Sequence, residues 1–261
     1  MEFLIISTIF IFGIIIGSFL NVLILRLRSD ESPVTGRSHC PACQHTLTPF
    51  DLVPIVSFVA LRGRCRYCQV AISWQYPLVE LANGLLFVCA WVFGGYTVEL
   101  LLAHPIGLVA LLRDLILVAG LVTLFVYDLR WQELPYIITF PLLGIVALLG
   151  LVAGLPWWSI GIAGLIGGGF FLFQFLISRG KWIGDGDIPL GALMGAALGW
   201  PLIVVALMLS YWIGAVIALI LVATGGKKMT STVPLGVFLV IGTLISLWWG
   251  DEFIRWYLGL L

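Results

Sequence analysis

FLIISTIFIFGIIIGSFLNVLIL, residues 3–25, runs from end to end without a charged side chain. A helix rising 1.5 Å per residue crosses a hydrocarbon core of ~30 Å in about 20 residues. This stretch therefore predicts a membrane-crossing helix. It has no basic start and no small-residue cleavage site, so it reads as a retained anchor rather than a removed leader. The rest of the chain agrees with it. Of 261 residues, 61% are hydrophobic and 10% charged, whereas a soluble domain carries about 25% charged residues. Composition excludes a water-soluble globule.

Eight apolar segments follow from the same reading: 3–25, 78–98, 106–127, 136–154, 157–177, 187–199, 201–223 and 233–249. The sixth is short and rich in small residues, LGALMGAALG (190–199), a composition suited to close helix packing. The tail DEFIRWYLGLL (251–261) reads as an interfacial aromatic segment. Cytoplasmic loops of membrane proteins are enriched in Lys and Arg. With the N-terminus outside, Arg26, Arg28, Arg37, Arg62, Arg64, Arg66, Arg130, Arg179, Lys181, Lys227 and Lys228 all face the cytoplasm, leaving only Arg113 and Arg255 on the other side. The expected architecture is an all-α polytopic membrane protein of about eight transmembrane helices, with no internal repeat. Residues 1–28 form the first helix, 29–77 a cytoplasmic loop module, and 78–261 a membrane-embedded domain. A net charge of zero gives no reason to expect nucleic acid as a partner.

The loop module contains SHCPACQ and GRCRYCQ, placing Cys40, Cys43, Cys65 and Cys68 as two C-x-x-C pairs. Each pair offers two thiolates to one tetrahedral metal, the spacing of a zinc ribbon. Disulfides compete with that reading but are disfavoured in a reducing cytoplasm. A loop of this size buries little apolar surface, so a metal would supply its folding energy. His39 and His45 are expected at the surface, and Cys89, inside a span, as a packing residue.

Two acids stand at span boundaries: Asp128 in LFVYDLRWQELP and Asp187 in GDGDIPL. A carboxylate in hydrocarbon costs ~3 kcal/mol on insertion scales, so acids at such depths invite a functional reading. Two carboxylates sharing a partly dry cleft cannot both ionise easily. One can then serve as base and the other as acid, which hydrolysis by activated water requires. Gly184 and Gly186 permit backbone conformations and a close approach that a side chain would block. On residues alone, a cation or proton transporter using the same acids is an equal rival. Asp30, Glu133 and Asp185 read as solvated loop acids.

Four motifs occur together in order: GSFLNVLILRL (17–27), CPAC…LRGRCRYC…YPLVEL (40–81), DLRWQELP (128–135) and GDGD (184–187). In these the chain resembles the type IV prepilin peptidases, membrane aspartyl proteases with a GxGD motif. The resemblance implies an endopeptidase that removes the basic leader of prepilins or pseudopilins, of type IV pili or type II secretion, at the cytoplasmic face of the bacterial inner membrane. It further implies N-methylation of the new terminus with S-adenosylmethionine. It places the catalytic pair on Asp128 and Asp187 and zinc on Cys40, Cys43, Cys65 and Cys68. Gly17, Ser18, Asn21 and Glu80 fall in its motifs, with structure and methyl transfer both open as their role. Expected partners are prepilin precursors and the lipid bilayer.

Two departures lie beside the acids. Lys181 stands where members often carry glutamate, and Pro189 where a lysine often follows the motif; both bear on pH optimum or substrate preference. Two alternatives stand beside the bifunctional enzyme: a peptidase alone, with the zinc loop docking the leader, and a transporter. The small-residue runs LGALMGAALG and GIAGLIGGG (161–169) are expected to let a substrate helix dock laterally from lipid.

Overall fold

The computed structural model describes residues 2–29, 31–32, 35–224 and 233–259. Asp30, Lys227, Lys228 and the last two residues of the aromatic tail lie outside them. Among the described residues there are ten α-helices: α1 (Glu2–Arg28), α2 (Val56–Ala60), α3 (Gln75–Phe93), α4 (Val98–Ala103), α5 (Pro105–Trp131), α6 (Tyr136–Val152), α7 (Trp157–Ser178), α8 (Asp187–Leu198), α9 (Leu202–Ala223) and α10 (Leu235–Leu258). The eight expected apolar segments coincide with α1, α3 and α5 to α10. Six of these, α1, α3, α5, α7, α9 and α10, are long and apolar enough to cross a membrane. The other two are shorter. At 12 residues α8 spans only about 18 Å, and α6, α7, α9 and α10 pack around it. Short helices at membrane depth are tolerated where protein rather than lipid surrounds them.

Local chemistry sets the helix ends. Pro105 opens α5, where its missing N–H costs nothing. Gln132 closes that helix in the left-handed region at φ 55°. α7 closes in a Schellman arrangement, with Gly180 N–H donating to the Phe175 carbonyl and Arg179 N–H to that of Leu176. The aromatic tail is helical, continuing α10 to Leu258.

The chain divides into two compact units, residues 1–92 and 93–261. In the first, α1 and α3 meet through glycines. A Cβ at Gly17 would come within 2.8 Å of the Glu80 Cα, and one at Gly13 within 2.8 Å of the Gly84 Cα. Polar side chains lock this contact. The Asn83 amide donates to the Gly13 carbonyl at 2.7 Å, and the Asn21 amide donates to the carbonyls of Gly17 and Tyr76. Gly17 and Asn21 thus have a structural role here.

In the second unit the core is a cluster of Leu117, Leu121, Leu124, Phe171, Leu190, Leu193, Met194, Ile203 and Leu239 with their neighbours. Helix packing closes part of the glycine runs. A Cβ at Gly195 would overlap the Ala163 carbonyl, and one at Gly167 the Gly191 carbonyl. α7 and α8 have used these faces on each other, so Gly167, Gly191 and Gly195 offer no surface to a substrate helix, whereas Gly161 and Gly169 on α7 stay open. Arg113 is not a free loop charge either. It is buried and donates from Nε and Nη2 to Asp114, whose other oxygen accepts from the Tyr96 hydroxyl at 2.7 Å.

Candidate functional site

The first unit holds the cysteine module. Its two pairs are built alike. Cys40 N–H donates to the His45 carbonyl and Gln44 N–H to that of Cys40; Cys65 N–H donates to the Val70 carbonyl and Gln69 N–H to that of Cys65. Gln44 and Gln69 both turn the chain at positive φ, 57° and 60°. Antiparallel bridges, His39 with Thr46 and Arg64 with Ala71, close the two loops. The module is therefore a short structural duplication. This corrects the expectation of no internal repeat: its trace in the sequence, C-x-x-C-Q written twice, is only five residues long.

The four Sγ atoms all lie within 4.8 Å of one another, and those of Cys40 and Cys68 are 3.8 Å apart. A tetrahedron with metal–sulfur bonds of ~2.3 Å has edges of about 3.8 Å, so four thiolates here fit a closed metal site. None of the four is in a disulfide. His45 packs against Tyr67 in a tilted arrangement, with ring centroids 3.6 Å apart. Asp51 ties the short 3-10 turn Pro49–Leu52 to the second knuckle. It accepts from Thr48 N–H and hydroxyl and from Tyr67 hydroxyl, and it pairs with Arg66 at 2.7 Å. Burial pushes its carboxyl up, but the hydrogen bonds from Thr48 and the Arg66 guanidinium outweigh burial and hold it at about 2. The tie therefore stays ionised at any pH near neutrality.

The second unit holds the acids. Asp128 and Asp187, far apart in sequence, line one cavity of about 530 Å³ together with Gln132, Glu133, Lys181, Asp185 and Pro234. Both carboxylates are buried at 5% exposure, and Asp187 lies within the field of the Asp128 charge. A close backbone contact joins the two segments. A Cβ at Gly186 would come within 2.8 Å of the Leu134 Cβ, so only glycine lets the GDGD turn press onto the loop after α5.

Each acid is held by backbone amides. Asp187 begins α8, where the helix dipole favours a negative charge, and its Oδ2 accepts from Gly184 N–H at 3.0 Å. Asp128 sits near the C-terminal end of α5, which disfavours an anion, but its Oδ2 reaches the start of α10. There it accepts from Val237 N–H at 2.9 Å and from Gly236 N–H. Sequence reading missed Gly236. A Cβ there would come within 2.8 Å of Asp128 Oδ2. Its only signal was Pro-Leu-Gly before an apolar run, which marks a helix start and says nothing of a partner far upstream.

Asp185 is an exposed loop acid, as expected, and is also tied into its turn. Its Oδ1 accepts from Gly186 N–H at 3.1 Å, and it is hydrogen-bonded to Tyr136 at the head of α6. Glu133 is engaged as well. Pro189 falls in the first turn of α8, where a missing N–H is tolerated. Lys181 lines the cavity, so the first departure alters its charge directly and the second does not.

Fold and site together define a polytopic membrane protein with a paired-carboxylate cavity and a four-thiol module. The chain belongs to the type IV leader peptidase family: that family's pattern matches residues 115–219, and the bacterial peptidase A24 N-terminal domain matches residues 11–93. Among its relatives are proteins named prepilin leader peptidase/N-methyltransferase from three bacteria. The Aeromonas hydrophila protein is 36% identical, with 97% of this chain and 93% of the relative covered. The Bacillus subtilis (strain 168) protein is 33% identical, with 97% of both covered. The Pseudomonas aeruginosa protein is 32% identical, with 94% and 91% covered. No solved structure matches the chain.

Proposed function

We propose that this protein is a multi-pass enzyme of the bacterial inner membrane that cuts the basic leader from prepilins or pseudopilins and then N-methylates the new terminus. The observation that carries the peptidase half is the meeting of Asp128 and Asp187 in one cavity, each anchored by backbone amides. One carboxylate takes a proton from water as it attacks the scissile carbonyl; the other gives a proton to the departing amine as the C–N bond breaks. The anchoring amides hold both oxygens in place, so little reorganisation is needed at the moment of reaction. Four acids, Asp128, Glu133, Asp185 and Asp187, line the cavity against one lysine, a balance that suits a basic leader.

The charge of the cysteine module argues against that module as the leader's dock. Its described residues include Arg37, Arg62, Arg64 and Arg66 against Glu31 and Asp51, which repels a basic peptide. Positive loops instead favour a module in the cytoplasm and an N-terminus outside. The division of labour follows the sequence: 1–28 an anchor, 29–77 a zinc module, 78–261 the peptidase. Zinc on Cys40, Cys43, Cys65 and Cys68 has a closed coordination shell and a structural role. S-adenosylmethionine supplies the methyl group. The deciding assay incubates purified protein with a prepilin, with and without S-adenosylmethionine, and reads product masses. Loss of the leader in both, and one added methyl only with the donor, is the expected pair of results. An uncut precursor would remove the reading.

Two variants probe its parts. Cys65→Ser should lower bound zinc from about one per chain, speed proteolysis within the loop, and weaken methylation before cleavage. Zinc-free wild-type protein, or a loop equally resistant in the variant, would count against the metal. Gly236→Ala should slow cleavage by about tenfold to a hundredfold, because a displacement near 1 Å at a reacting group costs that much. Its thermal stability should stay near that of the parent. An unchanged kcat would show that the contact with Asp128 is dispensable.

A further inference from the structure

The described residues bury four acids: Glu80, Asp114, Asp128 and Asp187. Asp114 is neutralised by Arg113. Asp128 and Asp187 belong to the peptidase cavity. Glu80 remains, at 6% exposure on α3, a helix long and apolar enough to cross the membrane. Its partners are neutral: Ile55 N–H donates to Oε2 at 2.7 Å, and the Ser18 hydroxyl is hydrogen-bonded to the carboxylate. No ion pair among the described residues includes it. Two neutral donors hold the carboxylate in place, and no cation among the described residues compensates its charge. Fold stability does not select such a group, because an amide would accept the same two hydrogen bonds without the burden of a buried charge.

A second irregularity touches the same oxygen. Ile55 lies at φ 61°, ψ −50°, and Val56 N–H donates to the Pro54 carbonyl across it at 2.5 Å. This is a γ-turn of the strained kind, centred on a β-branched residue. Such conformations persist where their surroundings hold them, and they gather at ligand clamps.

We infer that Glu80 is the anionic group of the methyl-donor site, pairing with the sulfonium of S-adenosylmethionine in the place now taken by the Ile55 turn. The inference rests on the methyl-transfer half of the proposed function. A buried carboxylate fits that ligand because the charge on sulfur exists only before the methyl group leaves. The spent product, S-adenosylhomocysteine, is a neutral thioether, so the same residue favours the donor and releases the product.

Calorimetric titration of the full chain in lipid nanodiscs with these two compounds tests it. Wild-type protein should bind the sulfonium at least about tenfold more tightly than the thioether, a charge-assisted difference. Glu80→Gln keeps an acceptor for Ile55 and should bring the two affinities to parity. Loss of both affinities in equal measure, or of neither, overturns the assignment while leaving methyl transfer standing. Wild-type protein that binds neither compound removes the methyl-transfer reading and this inference with it. If the variant fails to fold, the wild-type comparison stands alone: equal affinities, or a preference for the thioether, overturn the assignment.

Discussion

Asn at either Asp128 or Asp187 is expected to reduce prepilin cleavage by about 10²- to 10⁴-fold, the range that one positioned acid or base contributes. The replacement is nearly isosteric. At Asp128 the amide oxygen can still accept from Val237 N–H, and at Asp187 from Gly184 N–H. The cavity should therefore keep its shape while losing the proton chemistry. Membrane insertion and thermal unfolding of both variants should match the parent. The double variant should be about as inactive as either single one, because the pair works as a unit and its losses do not add. Substantial cleavage by either single variant would remove that acid from the mechanism. Asp185→Asn should retain most activity, since its contacts to Gly186 and Tyr136 tie the turn together.

Gly195→Leu is expected to abolish accumulation of folded protein. Overpacking a core with extra methylenes costs about 1–3 kcal/mol where side chains can shift. At Gly195 the obstruction is backbone. A Cβ would overlap the Ala163 carbonyl and crowd Gly164 N, so α7 and α8 would have to separate along their shared face. That face also positions Asp187 at the head of α8. Gly191 is bound by the same logic, with Phe171 and the Gly167 carbonyl in the way, the latter at 2.6 Å. By contrast, Gly144, Gly161 and Gly169 have nothing within 4 Å of an added Cβ, and leucine there should be tolerated. Normal yield and normal unfolding of the Gly195 variant, read by detergent-solubilised thermal melts, would contradict the packing described above.

The contrast between those glycines shows where sequence reading ends. Apolar runs located every long helix, because the hydropathy that lipid demands is a property of one segment at a time. The acids at Asp128 and Asp187, and the paired thiols, stood out for the same reason: each was a local anomaly. Partners are another matter. LGALMGAALG announces close packing but not whether α7 or a substrate provides the other surface. The reach of Asp128 to the start of α10, and the pairing of Arg113 with Asp114 and Tyr96, are likewise matters of three-dimensional contact. Arg113 had been counted as a charge on the far side of the membrane, whereas its guanidinium is consumed inside the protein.

Ten of the twelve residues of α8 are buried, including Asp187. Helices that face lipid tilt or stretch when the bilayer is thicker or thinner than their apolar length. Such mismatch has little purchase on a helix enclosed by protein. Elastic stress in the bilayer can reach the head of α8 only through the helices around it, and packed cores yield little to strain. The acid at that head is thus mechanically insulated from the lipids around it, as suits a site that must hold its geometry while membrane composition changes with growth and temperature.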